Sequence, residues 1–256
     1  MPILDAFSLA GRVAIVTGAS RGLGQAMALG LAEAGADIAG IDRTPDCHST
    51  CEQVQALGRR FMSINFDLSA ASAETLAGLV GDVVAELGGL HILVNNAGII
   101  RRAPALDYSE ADWDAVLDVN LRALFFLSQA TARHMAEHGG GKIIQIASML
   151  SYQGGIFVPS YTAAKSAVMG LTRALANEWA PLGINVNAIA PGYMATDNTA
   201  PLRADAERNA AILARIPAGR WGDPADLQGT VVFLASRASD YLHGATIPVD
   251  GAWLAR

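Results

Sequence analysis

Short stretches rich in β-branched and apolar residues alternate along this chain with longer stretches that have a helical hydrophobic pattern. The predicted strands are Arg12–Thr17, Asp37–Asp42, Arg60–Asn65, His91–Asn95, Lys142–Ala147, Ile184–Ala190 and Thr246–Val249. The predicted helices are Leu23–Ala34, Cys51–Leu57, Ala71–Leu87, Glu110–Glu137, Pro159–Ala180 and Pro224–Ser236. Because such alternation builds parallel βαβ units, we predict an α/β fold, a Rossmann-type doubly wound parallel sheet of about seven strands with helices on both faces.

The alternating pattern continues without a Pro/Ser-rich linker or an internal repeat, which indicates a single domain over residues 1–256. The segment 192–220 departs from the pattern and is rich in Ala, Arg, Asn and Pro. It follows the sixth predicted strand, at the carboxyl edge where ligands bind to sheets of this kind. We therefore predict that residues 192–220 form a substrate lid.

Composition excludes several classes of function. The net charge is −6 and the basic residues form no long run, which argues against nucleic-acid binding. The longest apolar stretches fall short of the ~18 residues that a membrane span needs, and residues 1–9 lack the features of a secretion signal, so we predict a cytoplasmic protein. Cys47 and Cys51 have no second ligand pair nearby, and we predict no metal site. The 52% hydrophobic content favours a sheet covered on both faces and helix surface buried between subunits.

The first predicted strand runs directly into the glycine-rich stretch Gly18-Ala19-Ser20-Arg21-Gly22-Leu23-Gly24. Glycines at a strand-to-helix turn let the backbone approach a pyrophosphate and direct helix N–H groups at it. The second predicted strand ends at Asp42, near the spacing of about 20 residues expected of an acid that binds the adenosine ribose. We therefore predict a dinucleotide site that favours NAD, while Arg21 and Arg43 leave NADP open.

Tyr161 and Lys165 are four residues apart in the predicted helix that follows the fifth strand, so they share one helix face. Oxidising an alcohol requires a base for its proton, and a phenol with a reference pKa of ~10 is a poor base at neutral pH. We expect the neighbouring ammonium to favour the phenolate and lower the pKa of Tyr161. Ser148 follows the fifth strand, where its hydroxyl is placed to hold a substrate oxygen, with Ser151 as the alternative. These residues predict an alcohol/ketone oxidoreductase.

Taken together, the motifs resemble those of the short-chain dehydrogenase/reductase family. The resemblance rests on Thr17-Gly18-x-x-x-Gly22-x-Gly24, Asn95-Asn96-Ala97-Gly98, Ser148, Tyr161-x-x-x-Lys165 and Pro191-Gly192, in the order of the family over nearly the whole chain. It implies a catalytic set of Asn120, Ser148, Tyr161 and Lys165, in which Asn120 sustains a water-linked proton relay through Lys165. The predicted cofactor contacts are Gly18, Ser20, Arg21, Gly22, Leu23, Gly24, Asp42, Asp67, Leu68, Asn95, Ala97, Gly98, Tyr161, Lys165, Pro191, Gly192 and Thr196.

Further stretches resemble the members of this family that act on deoxy sugar acids, namely 141–156, 158–163, 190–196 and 249–256. This resemblance implies an NAD(H)-dependent homotetramer that interconverts 2-dehydro-3-deoxy-D-gluconate and its 2,5-diketo form in pectin and hexuronate breakdown. A sugar acid requires a cation for its carboxylate and hydrogen-bonding groups for its hydroxyls. The substrate candidates are Arg101, Arg102, Ser148, Gln153 and Tyr193. A short-chain reductase of polyols or oxoacyl substrates and a non-catalytic dinucleotide-binding regulator remain as alternatives.

Overall fold

The computed structural model describes residues 2–44 and 47–256. Seven strands form one parallel sheet in the order β3-β2-β1-β4-β5-β6-β7. The strands are β1 (Val13–Thr17), β2 (Asp37–Asp42), β3 (Phe61–Asn65), β4 (Ile92–Asn95), β5 (Gly141–Ile146), β6 (Ile184–Pro191) and β7 (Thr246–Val249). The predicted fold class is confirmed, and each strand begins and ends within about one residue of its predicted bounds.

Helices lie along the sheet between the strands. They are α1 (Gly22–Glu33), α2 (His48–Ala56), α3 (Ala73–Leu87), α4 (Glu110–Leu117), α5 (Leu124–Glu137), α6 (Pro159–Trp179), α7 (Ala200–Ala204), α8 (Ala206–Arg215) and α9 (Gln228–Ala235). The prediction of one regular helix over Glu110–Glu137 is wrong, because the π-helical segment Asp118–Ala123 separates α4 from α5. A π segment widens the turn locally, and such segments are frequent at functional sites.

The two faces of the sheet are buried against different helices. Val13 and Ile15 of β1 belong to a core cluster that includes residues of α3, α5 and α6. Ala14 and Val16 point to the other face, where they join a cluster with residues of α1 and α9. Burial on both faces explains why the strands read as continuous apolar runs rather than as alternating patterns. Among the helices of the described chain, none has the length and apolar character that crossing a membrane requires.

Strand β1 lies between β2 and β4, so the strand order reverses at this point of the sheet. In open α/β sheets a crevice forms at such a reversal, beyond the carboxyl ends of the strands. The loop that follows β1 and the loop that follows β4 therefore face each other across one opening. This opening contains the glycine-rich loop and the Asn95–Gly98 motif.

Candidate active site

The glycine-rich loop has a backbone shape that side chains would prevent. Gly18 has a φ of +67°, and a Cβ there would lie 2.9 Å from the side-chain nitrogen of Asn96. A Cβ on Gly24 would overlap the carbonyl oxygen of Gly18, so the loop folds back onto the first turn of α1. In the described structure the N-cap residue of α1, Arg21, makes no side-chain capping hydrogen bond. The N–H groups of that turn are left for an anion, and the loop fits the pyrophosphate of a dinucleotide.

Thr17 and Asn96 hold the two loops of the crevice together. The Asn96 side chain donates a hydrogen bond of 2.9 Å to the Thr17 carbonyl oxygen. The Thr17 hydroxyl in turn accepts hydrogen bonds from the backbone N–H groups of Asn96 at 2.9 Å and Ala97 at 2.8 Å. The sequence motifs predict Ala97 as a site residue, whereas the roles of Thr17 and Asn96 become apparent only in the structure. Their signal was present in the Thr17-Gly18 and Asn95-Asn96 motifs.

Asn95 has a different environment from its neighbours. Its side chain is buried and donates hydrogen bonds of 2.9 Å to the hydroxyl of Ser128 and to the side-chain oxygen of Gln145. The Gln145 amide also donates to Ser128, so the three side chains form one internal network. The Asn95 side chain is therefore committed to joining β4, β5 and α5, and the predicted cofactor contact of this residue stays a prediction.

Asp42 ends β2 and faces the glycine-rich loop. Its carboxylate accepts hydrogen bonds from the Ser20 hydroxyl at 2.6 Å and from the Ser20 backbone N–H at 3.2 Å. Burial raises the pKa of Asp42, but the hydrogen bonds from Ser20 and Thr44 outweigh that effect and the net pKa is lowered. Asp42 is therefore ionised at neutral pH, as an acceptor for ribose hydroxyls must be.

The other predicted cofactor residues lie along the same carboxyl edge. Asp67 accepts a hydrogen bond from the backbone N–H of Ser69 and caps the short 3₁₀ helix Leu68–Ala70. Pro191 ends β6, and Gly192 packs so closely on Asp250 that a Cβ would lie 2.5 Å from the Asp250 Cα. Asp67 follows β3, and Pro191 and Gly192 lie at the end of β6. The predicted cofactor residues therefore lie on both sides of the crevice.

Lys165 is buried within α6, with 3% of its surface exposed. Its ammonium donates a hydrogen bond to the Ile146 carbonyl oxygen at the end of β5 and lies 5.7 Å from the centre of the Tyr161 ring. Burial lowers the pKa of Lys165 to about 8. The i, i+4 spacing thus places the cation beside the phenol, as predicted from the sequence.

The pKa of Tyr161 shifts in the direction opposite to the prediction. Burial raises it, while a side-chain hydrogen bond with Ser148 and the positive charge of Arg102 act to lower it. Desolvation of the phenolate outweighs both, because a charged phenolate loses more than a neutral phenol when water is removed. Before any cofactor binds, Tyr161 is therefore a phenol that holds its proton.

The structure separates the roles of the two serines after β5. The hydroxyl of Ser151 donates a hydrogen bond of 2.6 Å to the Lys165 carbonyl oxygen, so it joins α6 to this loop. The hydroxyl of Ser148 accepts a hydrogen bond from the Leu150 backbone N–H at 3.1 Å and also acts on the phenol, where its hydrogen bonding lowers the pKa of Tyr161. Ser148 rather than Ser151 is thus the hydroxyl beside the phenol.

Asn120 lies fully buried inside the π-helical segment between α4 and α5. Its side chain accepts a hydrogen bond from the Ile99 N–H at 2.8 Å and donates one to the Ile99 carbonyl oxygen at 2.9 Å. A Cβ on Gly98 would lie 3.3 Å from the Asn120 side-chain oxygen. Asn120 therefore fixes the loop after β4 through its side chain, a role that the sequence did not indicate.

Arg101 and Arg102 follow that loop but have different surroundings. Arg101 forms an ion pair of 3.3 Å with Asp112 of α4. Arg102 lies close enough to Tyr161 for its charge to lower the phenol pKa. The loop is tied to the first turn of α6, because the Tyr108 hydroxyl lies 2.6 Å from the Ser160 hydroxyl. Of the two predicted arginines, Arg102 is the one whose charge acts on Tyr161.

The remaining substrate candidates belong to a cluster that sequence reasoning missed in part. Tyr193 packs edge-on against Trp221 and Trp253, with ring centres 5.4 Å and 4.8 Å apart. Gln153 accepts a hydrogen bond of 3.0 Å from Arg215, and the Arg215 guanidinium lies 3.9 Å above the Trp253 ring. Arg215 ends α8, within the predicted lid. No local motif marks Arg215, because it meets Gln153 and Trp253 through tertiary packing alone.

A family model described as short chain dehydrogenase matches residues 12–207 of the chain. The chain belongs to the short-chain dehydrogenase family. The predicted resemblance is thereby confirmed, and the protein is an oxidoreductase of a family that uses dinucleotide cofactors.

Individual relatives match the chain over its length. The 2-dehydro-3-deoxy-D-gluconate 5-dehydrogenase of Escherichia coli strain K12 is 63% identical over 255 residues, which cover 99% of this chain and 100% of that protein. The protein of the same name in Bacillus subtilis strain 168 is 55% identical and is covered to 98%, as is this chain. The crystal structure of a gluconate 5-dehydrogenase from Burkholderia cenocepacia J2315, in complex with NADP and tartrate, matches with a TM-score of 0.94 at 40% identity and covers 99% of each chain.

Proposed function

We propose that this protein interconverts a ketone and a secondary alcohol on a deoxy sugar acid, 2-dehydro-3-deoxy-D-gluconate and its 2,5-diketo form, with NAD(H). The observation that supports the substrate class is the exposed guanidinium of Arg102, which is close enough to Tyr161 for its charge to lower the pKa of the phenol. A guanidinium pairs with a carboxylate through parallel charge-assisted hydrogen bonds. The names of the 63% and 55% identical relatives support the same substrate.

The catalytic residues act on the proton that moves with the substrate oxygen. Tyr161 holds a proton that it gives to the oxygen during reduction and takes back during oxidation. Ser148 donates a hydrogen bond beside the phenol and orients the reacting oxygen. Lys165 keeps its buried charge near the Tyr161 ring, where it stabilises the phenolate that remains after proton transfer. When bound, the nicotinamide supplies or accepts the hydride.

The two arginines offer a matched test of the substrate proposal. Arg102→Ala is expected to raise the KM for the diketo sugar acid about 10- to 100-fold, the loss of one pair of charge-assisted hydrogen bonds. Arg101→Ala removes the same side chain from an ion pair with Asp112 and is expected to change KM less than about twofold. Initial rates from NADH absorbance give both values.

Other outcomes distinguish the alternatives. If KM and kcat are unchanged in both arginine variants, Arg102 does not bind the substrate carboxylate. Turnover of a polyol or an oxoacyl thioester, with none of the sugar acid, would replace the substrate class while keeping the reaction type. Absence of turnover across the whole panel would favour a non-catalytic dinucleotide-binding protein, against which Ser148, Tyr161 and Lys165 stand together.

We propose NAD as the preferred cofactor because the ionised carboxylate of Asp42 lies at the ribose end of the site. Such a carboxylate accepts hydrogen bonds from ribose hydroxyls and repels a 2′-phosphate. The Burkholderia structure contains NADP, so its dinucleotide site accepts that phosphate. Parallel initial rates with NADH and NADPH test the preference directly.

We further propose that residues 192–220 close over the substrate and that the chain forms a homotetramer. The lid contains α7 and α8, and its Ile212 and Ile216 belong to the same buried cluster as Met149, the residue after Ser148. For assembly, Leu117, Leu121 and Phe125 line a partly exposed apolar groove between α4–α5 and α6. Leu121→Asp is expected to convert the tetramer into smaller species by light scattering, and an unchanged mass would exclude this face.

A further inference from the structure

Arg21 connects the two sides of the crevice. It precedes α1 in the glycine-rich loop, and its guanidinium lies 3.2 Å from the carboxylate of Asp197. Asp197 follows β6, in the first part of the lid. Next to this pair, Thr196 lies against Gly22, where an added Cβ would be 3.7 Å from its methyl carbon. The lid thus meets the cofactor loop at an ion pair and at a backbone contact.

The ion pair is adjacent in sequence to the residues at the proposed ribose end of the site. Asp42 is hydrogen-bonded to both the backbone and the hydroxyl of Ser20, and Arg21 is the following residue. Arg43 follows Asp42 directly, and its charge acts on Asp67. The two arginines near Asp42 therefore each act on an acidic residue, Arg21 on Asp197 and Arg43 on Asp67.

A cofactor with a 2′-phosphate brings about −1.5 to −2 charges to this end of the site. Beside the ionised Asp42, that phosphate requires an arginine partner to be tolerated. Arg21 is adjacent, but in this structure it is paired with Asp197. Binding of the phosphate through Arg21 must therefore compete with the lid carboxylate for the same guanidinium.

We propose that Asp197 contributes to cofactor selection by holding Arg21 in an ion pair that a 2′-phosphate must break. Discrimination against NADP then comes from two acids in different segments, Asp42 by direct repulsion and Asp197 by withdrawing a cation. This inference rests on the dinucleotide site of the proposed function but not on the sugar acid as substrate.

The test measures binding of NADH and NADPH to the protein without substrate, by fluorescence titration. Asp197→Asn keeps the size of the side chain and leaves Thr196, the N-cap of this turn, in place. The variant is expected to bind NADPH about two- to fivefold more tightly, the range that exposed ion pairs give, with the Kd for NADH unchanged. Glu207→Gln removes the same charge from α8 of the lid and is expected to change neither Kd.

Arg21→Met provides the second arm of the test. It is expected to weaken NADPH binding more than NADH binding. In the Arg21→Met background, Asp197→Asn is expected to have no further effect, because the two residues act through one contact. The effect of Asp197→Asn is also expected to shrink in 0.5 M salt, since both side chains are largely exposed.

Several results would overturn the inference. Equal changes in both Kd values would assign the ion pair to lid closure instead of cofactor selection. The same gain in Glu207→Gln would make the effect one of overall charge, and an additive double variant would separate Asp197 from Arg21. Failure of the wild type to bind either dinucleotide would refute both this inference and the proposed cofactor, whereas failure to turn over the sugar acid would leave the titrations valid.

Discussion

The part of the crevice proposed to bind the cofactor, the cofactor side, is built mainly from backbone, whereas the part proposed to bind the substrate, the substrate side, is built from side chains. On the cofactor side, residues 18–24 form one continuous loop whose shape depends on glycines. On the substrate side, Arg102, Ser148, Gln153 and Arg215 come from three separate segments, since Ser148 and Gln153 share the loop after β5. We therefore propose that cofactor binding depends on main-chain shape, while substrate choice depends on a few side chains that tertiary packing brings together.

The largest expected effect tests the chemistry that lies between the two sides. Tyr161→Phe removes the proton donor and keeps the ring, so kcat is expected to fall at least about 10³-fold, within the range for general acid–base groups. The Kd for NADH is expected to stay within about twofold, because the cofactor side keeps its backbone shape. Steady-state rates and fluorescence titration measure the two quantities.

Tyr152→Phe is the matched control for that experiment. Tyr152 is exposed, and its hydroxyl donates to the Thr246 carbonyl oxygen at the surface. Activity of this variant is expected to remain within about twofold of the wild type. If Tyr161→Phe retained comparable activity, the proton-transfer role of the phenol would be refuted.

The backbone character of the cofactor side is tested next. Gly24→Ala places a Cβ against the carbonyl oxygen of Gly18, where no flexible side chain can yield. We expect the free energy of unfolding to fall by about 3 kcal/mol, or NADH binding to be lost. Thermal denaturation and NADH titration measure these quantities.

Gly78→Ala in α3 is the control, because a Cβ there has no neighbour within 4 Å. It is expected to stabilise the protein by up to about 1 kcal/mol through helix propensity. If Gly24→Ala folded and bound NADH like Gly78→Ala, the cofactor side would not depend on backbone shape.

The same contrast explains which parts of the molecule the sequence predicts. Strand positions follow from apolar runs, and the loop Gly18–Gly24 is contiguous, so both are readable from local pattern. The π segment around Asn120 is a one-turn departure within a continuous hydrophobic pattern, and periodicity does not report it. Arg215 meets Gln153 across 62 positions of the chain, and no local rule pairs them. The pKa of Tyr161 was mispredicted because spacing reveals its neighbouring cation but not the burial of the phenol.

Lys165 is expected to destabilise the fold at neutral pH, because burial lowers its pKa from 10.5 to about 8. This shift corresponds to about 3 kcal/mol, and replacing Lys165 by Met costs about 1 kcal/mol because the Ile146 carbonyl oxygen loses its hydrogen-bond donor. Lys165→Met is therefore expected to be about 2 kcal/mol more stable than the wild type at pH 7, and inactive. The unfolded state binds more protons between pH 8 and 10.5, so the wild type gains stability there as pH rises and the difference disappears.

Urea denaturation at pH 7 and pH 10 measures this difference. Lys142→Met is a useful comparison, since burial also lowers the pKa of Lys142 but an ion pair with Asp240 opposes that effect. A gain in stability from Lys165→Met that persisted unchanged at pH 10 would mean that packing, not the buried charge, is responsible.

The smallest expected effect concerns Arg215, and it tests whether the substrate side depends on individual side chains. A guanidinium can only donate hydrogen bonds, so the contact with Arg215 fixes the oxygen of the Gln153 amide toward the lid. The amide NH₂ of Gln153 is then directed away from Arg215, where it can donate to a substrate hydroxyl or carboxylate. Arg215→Met keeps contact with the Trp253 ring and is expected to raise the substrate KM about tenfold, with kcat and the Kd for NADH unchanged.

A double-variant cycle separates this positioning role from a general loosening of the lid. If Arg215 acts by orienting Gln153, then Arg215→Met adds nothing to the KM of Gln153→Leu, because the amide to be oriented is already absent. Arg215→Lys, which restores a donor and a cation over Trp253, is expected to recover part of the loss. Arg208→Ala removes another arginine from α8 and is expected to leave KM unchanged. Additive effects of Arg215→Met and Gln153→Leu, or a fall in kcat, would instead show that Arg215 holds the lid as a whole, and the substrate side would then depend on backbone position just as the cofactor side does.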